Sequence, residues 1–230
     1  RAEIGKSLRE ARQMLSFAAS HAGSTLPGRT DDFLNIIMRR PHGVVLAIAP
    51  WNFPVLTPMR KLVPALVTGN TVVLKPSEFS PAAAIALVTL SEGILPKGAL
   101  SLVQGRGQVA ARLVSDDRVR AVSFTGSVDT GRKVAIAAAT GLKPVSLELG
   151  GKNAAILDDV ADLDTALDAI VGAAFQCSGQ RCTSISRVIV NRNILDDVVA
   201  GLRQRLGNLV AGPGSQTGTT LGPITTRDQI

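Results

Sequence analysis

Tyrosine is missing from the 230 residues, tryptophan occurs once and phenylalanine six times, so the core must be mainly aliphatic. Cysteine occurs twice, as Cys177 and Cys182. Their spacing excludes a Cys-x-x-Cys redox pair, and with His21 and His42 far from both in sequence it excludes a four-ligand zinc site; no metal is expected. Such sparse cysteine fits a reducing compartment, and the expected location is cytoplasmic. No apolar run reaches the roughly 18 residues that span a bilayer. The first residues, Arg1-Ala2-Glu3-Ile4, lack the basic-then-apolar order of a signal peptide, so no membrane partner is expected. The chain opens without Met and closes on Thr226-Arg227-Asp228-Gln229-Ile230, which reads as a piece of a longer protein.

What is present is an ordinary globular composition, 45% hydrophobic and 19% charged, long enough for one large domain or two small ones. The net charge of +7 admits three kinds of partner: nucleic acid, an anionic membrane surface or anionic small molecules. The basic residues are scattered, with only the pairs Arg39-Arg40 and Arg60-Lys61, and few aromatics are available to stack bases. A small-molecule anion site therefore ranks above nucleic acid, which is not expected as a partner. Acidic residues elsewhere in a longer chain would balance the same charge.

Residues 3–21 have helical spacing, with Ile4, Leu8, Ala11, Leu15 and Ala18 on one face and Lys6, Arg9, Arg12 and Gln13 opposite, and Gly23 ends the run. Residues 31–40 read as a surface strand stopped by Pro41. Val44 to Ala49 is a continuous apolar run between Gly43 and Pro50, the pattern of a strand buried on both faces. Helices over 58–68, 81–92, 108–115 and 128–139 then alternate with strands over 71–74, 99–103 and 121–124. This rhythm predicts an open α/β sheet with helices on both faces. After Leu149 the pattern changes to a strand at 154–157, a helix at 164–177, a strand at 186–191, a helix at 194–206 and a loop-rich tail from Ala211 to Gly222. A domain boundary is expected near Gly150-Gly151.

Gly126-Ser127-Val128-Asp129-Thr130-Gly131 lies between a predicted strand and a predicted helix, where backbone N–H groups and the helix dipole can hold a pyrophosphate; the same glycines also serve a plain turn. Lys75 and Glu78 follow the second buried strand, at the carboxyl end where open α/β sheets bind ligands. A Lys there can donate to ribose hydroxyls and a Glu can accept from the 2′ and 3′ hydroxyls. That Glu would repel a 2′-phosphate, which favours NAD over NADP. Lys-Pro-Ser-Glu also reads as a helix-capping loop with Ser77 or Ser80 as the cap. Cys182, within Phe175-Gln176-Cys177-Ser178-Gly179-Gln180-Arg181-Cys182-Thr183, offers a thiolate that attacks carbonyls, and Glu148, within Glu148-Leu149-Gly150-Gly151-Lys152, offers a carboxylate that activates water. In the plainer reading Cys182 is a packing residue, Glu148 a strand-end charge and Asn52 a turn residue.

These segments, with Ala49-Pro50-Trp51-Asn52-Phe53-Pro54 and Leu74-Lys75-Pro76-Ser77-Glu78, form five ordered blocks that resemble the NAD(P)-dependent aldehyde dehydrogenase superfamily, from about Pro41 to the last residue. The resemblance implies a Rossmann-like dinucleotide-binding domain over 1–22 and 42–150, an oligomerisation arm over 23–41 and the first part of a catalytic domain over 151–230. It implies NAD, with NADP as the alternative, held by Ile48, Ala49, Pro50, Trp51, Lys75, Ser77, Glu78, Gly107, Phe124, Gly126, Ser127, Gly131 and Leu149. It implies Cys182 as nucleophile, the Asn52 carboxamide and the Cys182 N–H as oxyanion donors, and Glu148 as the base that delivers water to a thioester.

Cys177 is read as the structural cysteine that closes the helix over 164–177. Many family members have Asn at that position and a Cys where Arg181 stands. Arg60 is expected at the substrate entrance, pairing with a carboxylate as in enzymes resembling succinate-semialdehyde dehydrogenase, although a second Arg used by those enzymes falls at Gln176; a solvated surface Arg is the alternative. The expected activity is oxidation of an aldehyde, in particular a carboxylated semialdehyde, by a homo-dimer or homo-tetramer. Coenzyme A acylation is disfavoured by the presence of Glu148, and the rival from another class is a dinucleotide-binding or interaction fragment without turnover.

Overall fold

The structure, a computed structural model, describes residues 2–21, 23–30 and 32–229. It divides into two compact units, Arg1–Leu149 and Gly150–Ile230.

The first unit opens with helix α1 (Ala2–Ser16) and a 3-10 turn (Ala18–His21), followed by strands β1 (Ser24–Pro27) and β2 (Leu34–Ile37), which pair antiparallel. Two strands stand here, β1 ahead of and β2 within the single strand that the sequence predicts over 31–40, whose first residue, Asp31, lies outside the described residues. β1 escaped notice because its four residues are all exposed and carry no alternation. Next come β3 (Val44–Ile48), α2 (Leu56–Val67), β4 (Thr71–Lys75), α3 (Pro81–Ser91), β5 (Leu100–Leu102), α4 (Gly107–Ser115), β6 (Val119–Thr125), α5 (Val128–Thr140) and β7 (Val145–Glu148).

These strands form one five-stranded parallel sheet in the order β5-β4-β3-β6-β7. Alternate residues of a strand face opposite sides, and β3 shows the result directly. Val45 and Ala47 pack with Leu62, Val72, Leu74 and Ala84 on one face of the sheet, while Leu46 and Ile48 pack with Val114, Val122, Phe124, Val134 and Ala138 on the other. Helices α2 and α3 supply the first cluster, α4 and α5 the second. A strand covered on both sides has to be apolar throughout, which is why Val44 to Ala49 carries no polar residue.

The expected apolar face of α1 is only partly buried. Ile4, Leu8 and Leu15 are about half exposed, and the buried positions are Ser7 and Ala11. Two carboxylates tie α1 to α2. Glu3 Oε1 accepts from the backbone N–H groups of Val55 and Leu56, each at 2.8 Å, capping an α2 start that has no side-chain cap of its own. Glu10 takes a two-point hydrogen bond from Arg60 of α2. These polar anchors hold α1 against one neighbouring helix.

The second unit pairs β8 (Asn153–Leu157) with β9 (Ile185–Val190) in parallel and covers them with α6 (Leu163–Phe175) and α7 (Leu195–Gly207). Leu157, Leu167, Ile170 and Val198 form its core. The helix expected to run through Cys177 ends at Phe175. A short 3-10 turn (Gln176–Gly179) follows, in which Cys177 (φ 54°, ψ 33°) and Ser178 (φ 57°, ψ 35°) are left-handed. Cys177 is exposed there, so its reading as a structural helix-closing cysteine is corrected. No described helix is long and apolar enough to cross a membrane.

Candidate active site

The strand order reverses between β3 and β6, the two neighbours at the centre of the sheet. In open α/β sheets the crevice beyond the carboxyl ends at such a point receives ligands. Register brings the singled-out residues of the first unit to that edge. Ile48 pairs with Lys75 on one side and with Phe124 on the other, and Thr125 pairs with Glu148. Asn52 lies four residues past β3 in the turn that leads to α2, Gly126 and Ser127 follow β6, and Gly107 opens α4 beyond β5. A separate cavity of about 190 Å³, lined in part by His42, Asp117, Arg120 and Lys143, opens at the amino ends of β3 and β6, the opposite end from these residues.

The turn after β6 is built for close approach. A methyl group on Gly126 would stand 2.5 Å from Cζ of the buried Phe124 ring. The Gly126 N–H donates to the Glu148 carbonyl at 3.1 Å, which ties this turn to the end of β7. Ser127 caps α5: its Oγ accepts from the Thr130 N–H at 3.3 Å and donates to Thr130 Oγ1 at 2.9 Å. Gly131 is buried against Leu149 and Phe124. At the end of β4 the Lys75 side chain is only 5% exposed, and its Nζ stands 3.6 Å from Glu78 Oε2. Ser77 is buried and its Oγ accepts from the Phe79 N–H, whereas Ser80 is the residue at the N-cap of α3 and makes no capping bond through its side chain. A buried ammonium beside a partly exposed carboxylate at a strand tip offers the donor and acceptor that a ribose diol requires, and the glycine turn leads into a capped helix start, so these residues fit a dinucleotide.

Reading the sequence did not single out Lys61, Ser123 or Asn153. Lys61 is 7% exposed on the inner face of α2 and donates to Ser123 Oγ at 3.0 Å. Burial pushes its ammonium down to about 8, a shift partly opposed by the negative charge of Glu148. Its helical spacing with the buried Thr57 and Pro58 was a usable signal, masked by its pairing in sequence with the exposed Arg60. Arg60 is half exposed, and the carboxylate it holds belongs to Glu10, with Nε to Oε2 at 2.6 Å and Nη2 to Oε1 at 2.8 Å. Glu10 is in consequence held below the usual carboxylate range.

Cys182 belongs to the second unit, where it is an exposed free thiol between the 3-10 turn and β9. Asn153 of β8 fixes its backbone, donating from Nδ2 to the carbonyls of Cys182 at 2.7 Å and Ser184 at 3.1 Å. Tail residues hold the preceding turn, since Ser178 Oγ donates to the Gly222 carbonyl at 3.0 Å and Gln180 Oε1 accepts from the Thr225 N–H at 2.9 Å. Glu148 is exposed and Asn52 partly buried.

The chain resembles known proteins over most of its length. The chain is 39% identical to the mitochondrial succinate-semialdehyde dehydrogenase of Arabidopsis thaliana over 96% of its own length and 44% of that protein's. It is 39% identical to the NADP(+) succinate-semialdehyde dehydrogenase GabD of Escherichia coli (strain K12), over 96% of this chain and 49% of the relative. The crystal structure of the NAD-dependent aldehyde dehydrogenase from Sinorhizobium meliloti superposes with a TM-score of 0.95 at 36% identity, over 99% of this chain and 46% of that one. The chain thus spans about half the length of the relatives it matches. A model of the aldehyde dehydrogenase family matches residues 1–230, and the chain belongs to that family.

Proposed function

We propose that the protein carrying this chain oxidises an aldehyde, in particular one with a remote carboxylate, to the carboxylic acid with NAD(P). The observation that carries this reading is the register of the sheet, which sets the tips of β3, β4, β6 and β7 in one row, bearing Asn52, Lys75, Gly126 and Glu148. Unit Arg1–Leu149 is assigned to dinucleotide binding, with residues 23–41 as an oligomerisation arm of a homo-oligomer, and Gly150–Ile230 to the catalytic cysteine.

Lys75 and Glu78 would hold the adenosine ribose, and the Gly126 to Gly131 turn the diphosphate, with Ile48 to Trp51, Ser77, Gly107, Phe124 and Leu149 lining the remainder. When bound, the cofactor supplies a hydride acceptor. Cys182 as thiolate adds to the aldehyde carbon, and the resulting oxyanion is held by the Asn52 carboxamide and the Cys182 N–H. Loss of hydride leaves a thioester on Cys182. Glu148 takes a proton from water, the hydroxide attacks the thioester, and the carboxylate departs as the thiolate re-forms. The balance is aldehyde, NAD⁺ and water to carboxylate, NADH and two protons.

NAD is favoured by the carboxylate of Glu78 beside Lys75, which would face a 2′-phosphate. The names of the relatives that carry semialdehydes, together with Arg60, support the acidic substrate. The test is NADH formation from a panel of aldehydes. Loss in Cys182→Ala with dinucleotide affinity kept supports the reading, and turnover that survives this substitution refutes it. A second reading, dinucleotide binding without turnover, predicts an NAD-dependent rise in melting temperature and no NADH.

A further inference from the structure

We propose that Glu10 is a specificity-determining residue: it is an internal carboxylate seated on the Nε–Nη2 edge of Arg60, which a substrate's remote carboxylate must displace. This inference rests on the reading of Arg60 as the contact for an acidic aldehyde.

The two bonds, 2.6 and 2.8 Å, are the fork geometry in which guanidinium and carboxylate match in plane. An aldehyde bearing an acid would present the same chemical group to the same edge. Exposure decides whether the exchange is affordable. The Arg60 side chain is 49% exposed and that of Glu10 24%, so the pair is solvated on one side and a replacement carboxylate can approach from water. Pairs of this kind contribute little to stability, which makes Glu10 a displaceable occupant and no permanent fixture.

Opening the pair does not require α1 to move. Glu3, two turns before Glu10 on the same side of the helix, anchors α1 to the start of α2 through two backbone N–H groups independently of Arg60. Lys6, whose Nζ stands 3.9 Å from Glu10 Oε1, offers the released carboxylate a second cation on its own helix. The released Glu10 keeps its charge and repels the incoming acid. It therefore weakens the preference for carboxylated substrates, a penalty that a neutral residue at position 10 would lift.

The test uses the 230-residue chain, with glutarate as the carboxylate probe and glutaramide as its uncharged counterpart, followed by isothermal titration calorimetry, a readout that parent and every variant share. Glu10→Gln is expected to bind glutarate about fivefold tighter than the parent chain, the scale of one solvated ion pair, with glutaramide unchanged. Arg60→Leu is expected to lose the preference for glutarate in either background. Unchanged or weaker glutarate binding in Glu10→Gln, with the preference still lost in Arg60→Leu, overturns the role of Glu10 while leaving Arg60 as an acid contact. A preference that survives Arg60→Leu overturns the reading of Arg60 itself, as does a parent chain and Glu10→Gln variant that both ignore glutarate. Equal melting temperatures for the variants exclude misfolding as the source of any difference.

Discussion

The ammonium of Lys61 donates to the hydroxyl of Ser123 at 3.0 Å, which fastens α2 to the central strand β6 beside the strand that ends in Glu148. The cost of burying that ammonium gives the first expected outcome. Its folded value of about 8 lies below the ordinary 10.5, so the folded state holds this proton less tightly than the unfolded one. From pH 8 to 10.5 the unfolded chain binds more protons, and stability contributed by this group rises with pH across that window. Below pH 8 the full penalty applies, on the order of 3 kcal/mol at 1.36 kcal/mol per unit. Urea unfolding at pH 7.5, 9 and 10.5 should show the parent gaining on Lys61→Met by that order. Parallel profiles for the two proteins would contradict it.

Glu148 acts on the same group from the other side, because its negative charge opposes the effect of burial on Lys61. Glu148→Gln should therefore move the Lys61 titration midpoint further down, as read from its side-chain carbon and nitrogen shifts. An unmoved midpoint would show that the two charges do not sense one another. In the catalytic reading the same variant should give a stoichiometric burst of NADH with slowed continuation, and undiminished steady turnover would remove Glu148 from the role of base.

The inner strands of the sheet were legible in the sequence because they are covered on both faces, and Val44 to Ala49 and Val72 to Leu74 have no polar residue to disguise the run. The strand tips were legible for a related reason: Gly, Pro and Ser mark where an apolar run stops, and ligands meet open sheets there. What failed to show was decided by pairwise polar contacts between distant segments. Nothing in the spacing of α1 says that Glu3 will cap α2 fifty residues later. Arg60 was expected to pair with the carboxylate of a substrate; the carboxylate it holds in the structure is that of Glu10.

Gly126 has to be glycine for a reason of space. A Cβ there would press on a Phe124 ring that is 3% exposed and enclosed by its own cluster, so the ring cannot swing aside. Gly126→Ala should lower stability by about 1–3 kcal/mol, the range for overpacking a filled core. Shortening the ring should relieve it, so Phe124→Leu combined with Gly126→Ala should cost less than the sum of the two single changes in denaturant unfolding. Additive losses would place the strain elsewhere.

Cys177 occupies the left-handed region at φ 54°, ψ 33°, exposed, and its backbone carbonyl accepts from the Gln180 backbone N–H at 3.1 Å and side-chain amide at 3.2 Å. Those bonds use the main chain and survive a change of side chain. An ordinary residue in this conformation costs roughly 1–2 kcal/mol, which Asn and Gly largely avoid. Cys177→Asn should therefore be neutral to about 1 kcal/mol stabilising, and Cys177→Gly similar once its larger unfolded-state entropy is offset. Cys177→Val, branched at Cβ, should lose about 1 kcal/mol or more. Unfolding curves of the three variants order them directly, and a Val variant as stable as the Asn one would mean that this turn relaxes out of the left-handed conformation in solution. Because Cys182 keeps its own anchor through Asn153, thiol labelling of Cys182 should be the same in all three.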